Sequence, residues 1–264
     1  MGLEAAGVVE SVGPGVSNVR PGDRVGYACA PPGAYTQIRT MRTELLIQLP
    51  RFLSDEAAAA LLLKGITASF LLHDVYAVRR GDIVLVHAAA GGVGQLLCRW
   101  AKALGATVVG AVSTEMKADQ AKRVGCDHVI VVSRGDFADA VMRLTDGKGA
   151  HVVYDAVGKD TFEGSIRALA PRGHLVSFGQ ASGDVGAYPI DKLANRSVTL
   201  SRPNYGHFTD TAEKLRTQTD RLFAALQSRV LVPEAPRRYA LVDARSAHAD
   251  LEGRQTTGAL VLTT

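Results

Sequence analysis

Hydrophobic positions along the chain change their period as it proceeds. Over the first fifty residues the apolar stretches are short and broken by turn residues. Residues 5–12, 24–28 and 33–38 read as strands, with Gly13-Pro14-Gly15 and Arg20-Pro21-Gly22-Asp23 as turns between them. Ser54 then precedes Asp55, Glu56 and a run of alanines and leucines, the pattern of a capped helix start. Lys64-Gly65-Ile66-Thr67 predicts a break in that helix, after which residues 68–75 resume helical spacing. From Ile83 onward, apolar runs of strand length alternate with helix-period segments. Strands are expected at 83–86, 107–112, 128–132, 152–154, 174–178 and 197–201, the last at the sheet edge, with helices at 96–104, 117–124, 136–144 and 162–169 between them. A long helix over 210–229, a strand at 239–242, a short helix at 244–251 and a strand at 259–262 close the chain. The alternation predicts a parallel, doubly wound α/β sheet with right-handed crossovers, behind a small β-rich opening domain, the crossing between them falling near residues 64–67.

The chain is organised around residues 82–104. The β-branched run from Ile83 to Val86 reads as a buried parallel strand, three glycines follow, and Leu96, Leu97, Trp100, Ala101 and Leu104 set a helical period. Strand, glycine turn and helix make the mononucleotide-binding unit of a Rossmann fold. A turn without Cβ bulk lets a pyrophosphate approach the main chain, and the helix behind it offers unpaired N–H groups and about half a positive charge. In the G-x-G-x-x-G register Ala89 takes the first position, Gly91 the second and Gly94 the third. Gly91, Gly92, Val93 and Gly94 are therefore the predicted pyrophosphate contacts.

Composition adds exclusions. Of 264 residues 47% are hydrophobic and 21% charged, the usage of an ordinary globular protein. The net charge of +4 comes without a clustered basic face, so nucleic acid is not an expected partner. Three cysteines, Cys29, Cys98 and Cys126, form no C-x-x-C pair, which predicts neither a disulfide framework nor a zinc knuckle and points to a reducing cytoplasm. No leader pattern opens the chain, and the apolar run 57–63, ended by Lys64 and Gly65, is too short to span a bilayer.

Several motifs together carry a family resemblance: HAAAGGVG from His87 to Gly94, WAKALGA from Trp100 to Ala106, VYDAVG from Val153 to Gly158, and VSFG from Val176 to Gly179. EAAGVV from Glu4, GDRV from Gly22, GAY from Gly33 and KGIT from Lys64 belong to the same set. In this order they resemble the zinc-free, ζ-crystallin-like quinone oxidoreductases of the medium-chain dehydrogenase/reductase superfamily. The resemblance implies a GroES-like catalytic domain from residues 1–66 and 205–264, and a Rossmann domain over 67–204. It also implies that the GroES-like part is incomplete, because family members reach the strand at Glu4 only after an opening segment whose Asn/Tyr-containing motif lines the nicotinamide and quinone pocket. Either the native start lies upstream or one wall of the pocket is absent. Zinc-dependent superfamily members carry Gly-His-Glu where this chain has Gly2-Leu3-Glu4; leucine cannot ligate a metal, so no metal site is expected.

The end of the second Rossmann strand bears on cofactor choice. An NAD site offers Asp or Glu about twenty residues after the glycine turn. Here Ser113 stands in place of the acid, and Lys117, one turn into the next helix, is placed to meet a 2′-phosphate, so NADP is the expected cofactor. Glu115 reads as helix N-terminal charge. By resemblance, Thr67 and Phe70 lie near the nicotinamide end, Val157, Phe178 and Gly179 line the cleft over the strand ends, and Pro203, Asn204, Tyr205 and Arg254 add cofactor contacts. Val132 stands where the family has a tyrosine. The implied activity is metal-free hydride transfer from NADPH to a quinone, which needs proximity and a water-poor cleft more than a strong acid or base. Reduction of activated alkenes or enoyl thioesters, and cofactor binding without turnover, remain alternatives. A homodimer through the Rossmann edge strand at 197–201 is the implied assembly.

Overall fold

Strand β1 (Glu4–Val8) pairs antiparallel with β2 (Arg24–Ala28), and β2 with β3 (Ile47–Gln48). The computed structural model describes all residues except Ala30, 133–135 and 254–257. The third strand expected at 33–38 does not form. Gly33 takes a φ of +137°, and the amides of Gly33 and Ala34 both donate to the one carbonyl of Gly2, which a regular ladder cannot do. The pairing partner of β2 is instead the short β3, which the sequence pattern passes over.

Helix α1 (Asp55–Phe70) starts as expected, with the Ala57 amide donating to Ser54 Oγ at 3.2 Å. Arg24 binds Asp55 through two nitrogens, at 2.6 and 3.0 Å, and fixes this end of the helix on β2. The break expected at Lys64–Thr67 is absent. Gly65 lies inside the helix because a Cβ there would sit 2.6 Å from Leu222 Cδ1, so the glycine permits close packing and does not end the element. The helix continues into a π-helical turn, Leu71–Val75. Residues 55–75 thus form one helix long and apolar enough by composition to cross a membrane, but 61% of its most apolar window is buried inside the fold, as in a core helix.

The remaining elements alternate: β4 (Ile83–His87), α2 (Gly92–Ala103), β5 (Thr107–Val112), α3 (Glu115–Arg123), β6 (His128–Val131), α4 (Phe137–Leu144), β7 (Ala150–Asp155), α5 (Phe162–Ala168), β8 (Leu169–Ser177) and β9 (Thr199–Ser201). Their sheet runs β6-β5-β4-β7-β8-β9 with every pair parallel, the doubly wound Rossmann order. The central strands are buried on both faces, and this explains their unbroken apolar runs: Val84, Leu85, Val86, Val108, Val109, Val152 and Val153 have no exposed surface. Helix α6 (Ala212–Gln227), β10 (Arg237–Ala240), α7 (Ala244–Glu252) and β11 (Leu260–Thr263) complete the chain, with β10 and β11 paired in parallel. Two compact units result: Met1–Thr67 with Tyr205–Thr264, and Ala68–Asn204.

Candidate dinucleotide site

Strand order reverses between β4 and β7, so the carboxyl ends of these two strands mark the switch point at which open α/β sheets bind ligands. After His87 the chain turns sharply: Ala88 is left-handed at φ +49°, and the Gly91 amide closes back on the Ala88 carbonyl at 2.7 Å. A Cβ on Gly94 would overlap that carbonyl oxygen, and one on Gly91 would come within 3.0 Å of it. Gly91 and Gly92 are exposed, no side chain caps α2, and its first turn has no acidic residue. The first amides of α2 therefore face outward beside backbone that glycine alone keeps open, an arrangement suited to a pyrophosphate.

At the end of β5, Thr114 Oγ1 accepts from the Lys117 amide at 3.4 Å and starts α3, with Glu115 in the first turn. Lys117 Nζ reaches back to Ser113 Oγ at 3.3 Å, so the two predicted 2′-phosphate contacts lie together, on exposed positions.

The loops after β7 and β8 are built around Asp155. Its carboxylate accepts from the Val157 and Gly158 amides at 2.8 and 3.1 Å, while its carbonyl accepts from Phe178 and Gly179 at 2.9 and 3.2 Å. Ser182 closes on the Val157 carbonyl through both its amide and its hydroxyl. A Cβ on Gly179 would stand 2.5 Å from the Ala156 carbonyl oxygen, which requires glycine there. Phe178 is half-buried. Arg202, which the sequence reading passes over, donates to the carbonyls of Ser177 and Gly179 at 3.0 and 2.9 Å and to Gln180 Oε1 at 3.0 Å, and so holds the Phe178–Gly179 loop. An arginine beside an edge strand carries no sequence signal for this role; only the return of β9 alongside β8 places it there.

Phe70 is 2% exposed, packed at the end of α1. Pro203 and Asn204 follow β9 at the end of the same unit. In the other unit, Thr67 is half-buried and donates its hydroxyl proton to the Leu63 carbonyl at 2.7 Å, so its oxygen remains only as an acceptor. One turn earlier, the Leu63 amide donates to Glu4 Oε2 at 2.8 Å. Burial pushes the Glu4 carboxyl up, against the pull of that amide and of Lys64. Burial likewise pushes the Lys64 amine down, opposed by Glu4 and Glu234. The Tyr205 phenol is raised by burial and by the neighbouring Cys29 and Glu4. Arg254 lies outside the described residues.

Cys98 and Cys126 are buried and Cys29 is half-buried, all three as thiols. Among the described residues, no group of three or more His, Cys, Asp or Glu side chains converges as a metal site would.

A doubly wound parallel sheet with a glycine turn at its switch point, joined to a β-rich unit formed from both chain ends, defines a two-unit dinucleotide-binding protein. The alcohol dehydrogenase GroES-like domain family matches residues 1–51, and the family described as zinc-binding dehydrogenase matches residues 92–220. A quinone oxidoreductase of Pseudomonas aeruginosa is 45% identical over 99% of this chain and 81% of its own length. A 2-haloacrylate reductase of a Burkholderia species is 44% identical over 99% of the chain and 80% of its own. The crystal structure of Escherichia coli quinone oxidoreductase complexed with NADPH superimposes with a TM-score of 0.95, at 40% identity, covering 100% of this chain and 82% of that one. The chain belongs to the quinone oxidoreductase family of the medium-chain dehydrogenase/reductase superfamily. The fold expected from the motifs, Rossmann sheet with GroES-like part, is the one observed.

Proposed function

We propose that this protein is an NADPH-dependent quinone oxidoreductase. The observation that carries the reading is the pair of contacts at the ends of β4 and β5. The glycine turn leaves the α2 amides open where an acidic or bulky residue would close them, and Lys117 with Ser113 supplies a cation and a hydroxyl where an NAD enzyme carries an acid. When bound, NADPH supplies the hydride; the protein supplies binding and orientation.

Each residue then has a definable task. Gly91, Gly92, Val93 and Gly94 hold the pyrophosphate, and Ser113 and Lys117 the 2′-phosphate. Val157, Phe178 and Gly179, fixed through Asp155, wall the cleft over the strand ends. The Thr67 hydroxyl oxygen, with its proton committed to Leu63, accepts from a carboxamide N–H, which orients the nicotinamide. Pro203, Asn204 and Tyr205, with Arg254 by the family resemblance, complete the cofactor contacts; Phe70, 2% exposed, has almost no surface with which to meet the cofactor. Hydride delivery to a quinone leaves a hydroquinone anion that needs only a proton from water or a nearby acid, so no strong catalytic base is required. A homodimer joined through β9 fits the same reading, because among the described residues that edge strand pairs with β8 alone.

Stopped-flow oxidation of bound NADPH by a small quinone tests the function: turnover supports it, and binding without turnover refutes it. The Burkholderia relative, a 2-haloacrylate reductase, favours a second reading, reduction of an activated alkene. A kcat/KM for 2-chloroacrylate above that for quinones would establish that reading instead.

A further inference from the structure

Four buried polar side chains sit directly behind the switch point. His87 ends β4 and Asp155 ends β7, adjacent strands in register through Val86 and Tyr154. Thr161 stands immediately before α5 without a side-chain bond to its amides, and Ser165 lies within the helix. Their exposures are 1% for His87, 0% for Asp155 and Ser165, and 6% for Thr161. The direction of the bonds follows from counting protons. Ser165 Oγ donates its one proton to Asp155 Oδ2 at 3.1 Å, so it can only accept from His87 Nε2, 2.9 Å away. Nε2 of the imidazole therefore carries a proton, and burial pushes the His87 pKa down, against the pull of the Asp155 charge. Thr161 Oγ1 also donates to the carboxylate, 2.8 Å from Oδ2. With the Val157 and Gly158 amides, the carboxylate accepts from two hydroxyls and two backbone donors.

A fully buried carboxylate is costly unless every lone pair is served, and an apolar cluster could fill this volume more cheaply. Its position explains its presence. The residue after His87 is the left-handed Ala88 that opens the glycine turn, and the first amides held by Asp155 are those of the Val157–Gly158 loop. Besides the pairing of β4 with β7, the Ser165 hydroxyl joins the two side chains: His87 reaches Asp155 through it.

We propose that the His87–Ser165–Asp155–Thr161 chain fixes the glycine turn and the Val157–Gly158 loop relative to each other, and thereby governs how tightly the whole dinucleotide is held. The adenosine end, met by Ser113 and Lys117 at β5, lies outside its control. The four are positioning residues; none is assigned a contact with the reacting atoms. The inference rests on the NADPH reading above.

Ser165→Ala cuts the chain at its centre while leaving the Asp155 anchors of Val157 and Gly158 in place. Calorimetric titration of wild type and variant with NADPH and with adenosine 2′-monophosphate, which has no 5′-phosphate to meet the glycine turn, separates the two ends of the site. The expected result for Ser165→Ala is an NADPH Kd raised about tenfold, as for loss of a buried hydrogen bond with its partner left unpaired, and an unchanged Kd for the 2′-monophosphate. Ser165→Thr, which keeps the hydroxyl, recovers most of the NADPH affinity. His87→Phe, which keeps a ring against Phe137 but has no donor, is a second cut should Ser165→Ala fail to fold. Unchanged NADPH affinity with a lowered Tm overturns the proposal in favour of a packing role. Equal weakening of both ligands overturns it as well. A wild-type protein that binds no NADPH refutes the cofactor reading itself, a result distinct from either.

Discussion

Lys117 Nζ donates to Ser113 Oγ across 3.3 Å, one helical turn that joins the end of β5 to the start of α3. An NAD-type acid at position 113 would occupy the Lys117 amine and repel a 2′-phosphate; serine leaves the charge available. Lys117→Ala is expected to raise the NADPH Kd by about tenfold or more, the scale of one charge-assisted hydrogen bond, with NADH nearly unaffected. Equal losses for both cofactors, measured by fluorescence titration, would refute the assignment.

Gly94→Ala asks whether the turn tolerates a methyl group. The added Cβ meets the Ala88 carbonyl and the Ala89 main chain, neither of which can move as a side-chain tip could. Overpacking of this kind costs about 1–3 kcal/mol, so a lower urea midpoint and loss of NADPH binding are expected together. A variant that binds NADPH normally would show that the turn is not the pyrophosphate cradle.

His87 makes stability depend on pH. Burial lowers its folded-state pKa, with the Asp155 charge opposing, so between that value and the unfolded pKa near 6.5 the unfolded chain binds more protons. Stability is full above about pH 6.5 and falls as pH drops below it, by up to roughly 1 kcal/mol per unit, until the folded pKa is reached. Urea denaturation between about pH 7 and 5 should show this slope in wild type and a flatter one in His87→Phe. Parallel slopes would assign the effect to other groups.

Thr67 acts as an acceptor in the proposed site, because its proton is held by Leu63. Thr67→Val keeps the shape and removes the oxygen. Its kcat for quinone reduction is expected to fall by about tenfold, with Thr67→Ser close to wild type. Unchanged kcat in the valine variant would remove Thr67 from the nicotinamide end.

The edge strand β9 carries Leu200, 39% exposed, and among the described residues pairs with β8 alone. Light scattering is expected to give twice the mass of the chain, and Leu200→Asp to shift the population toward monomer. A monomeric wild type would dispose of the dimer proposal.

Sequence periodicity alone determined the Rossmann half of this protein. Each strand from β4 to β9 overlaps its expected range; the central ones were legible because strands buried on both faces must be continuously apolar, and the turn because Gly91 and Gly94 are dictated by backbone crowding only a few residues away. Local signals failed where the deciding partner lies far along the chain. Gly65 looks like a helix breaker, yet it stays helical because Leu222 needs the space. Residues 33–38 look like a strand, yet two of their amides share the Gly2 carbonyl. Arg202 and Ser165 bear no mark of their roles in the linear pattern. Tertiary structure alone brings the Arg202 guanidinium to the carbonyls of the Phe178–Gly179 loop, and the Ser165 hydroxyl between His87 and Asp155. Hydrophobic period is a property of neighbours in sequence. A hydrogen bond made 78 residues away is a property of the folded sheet.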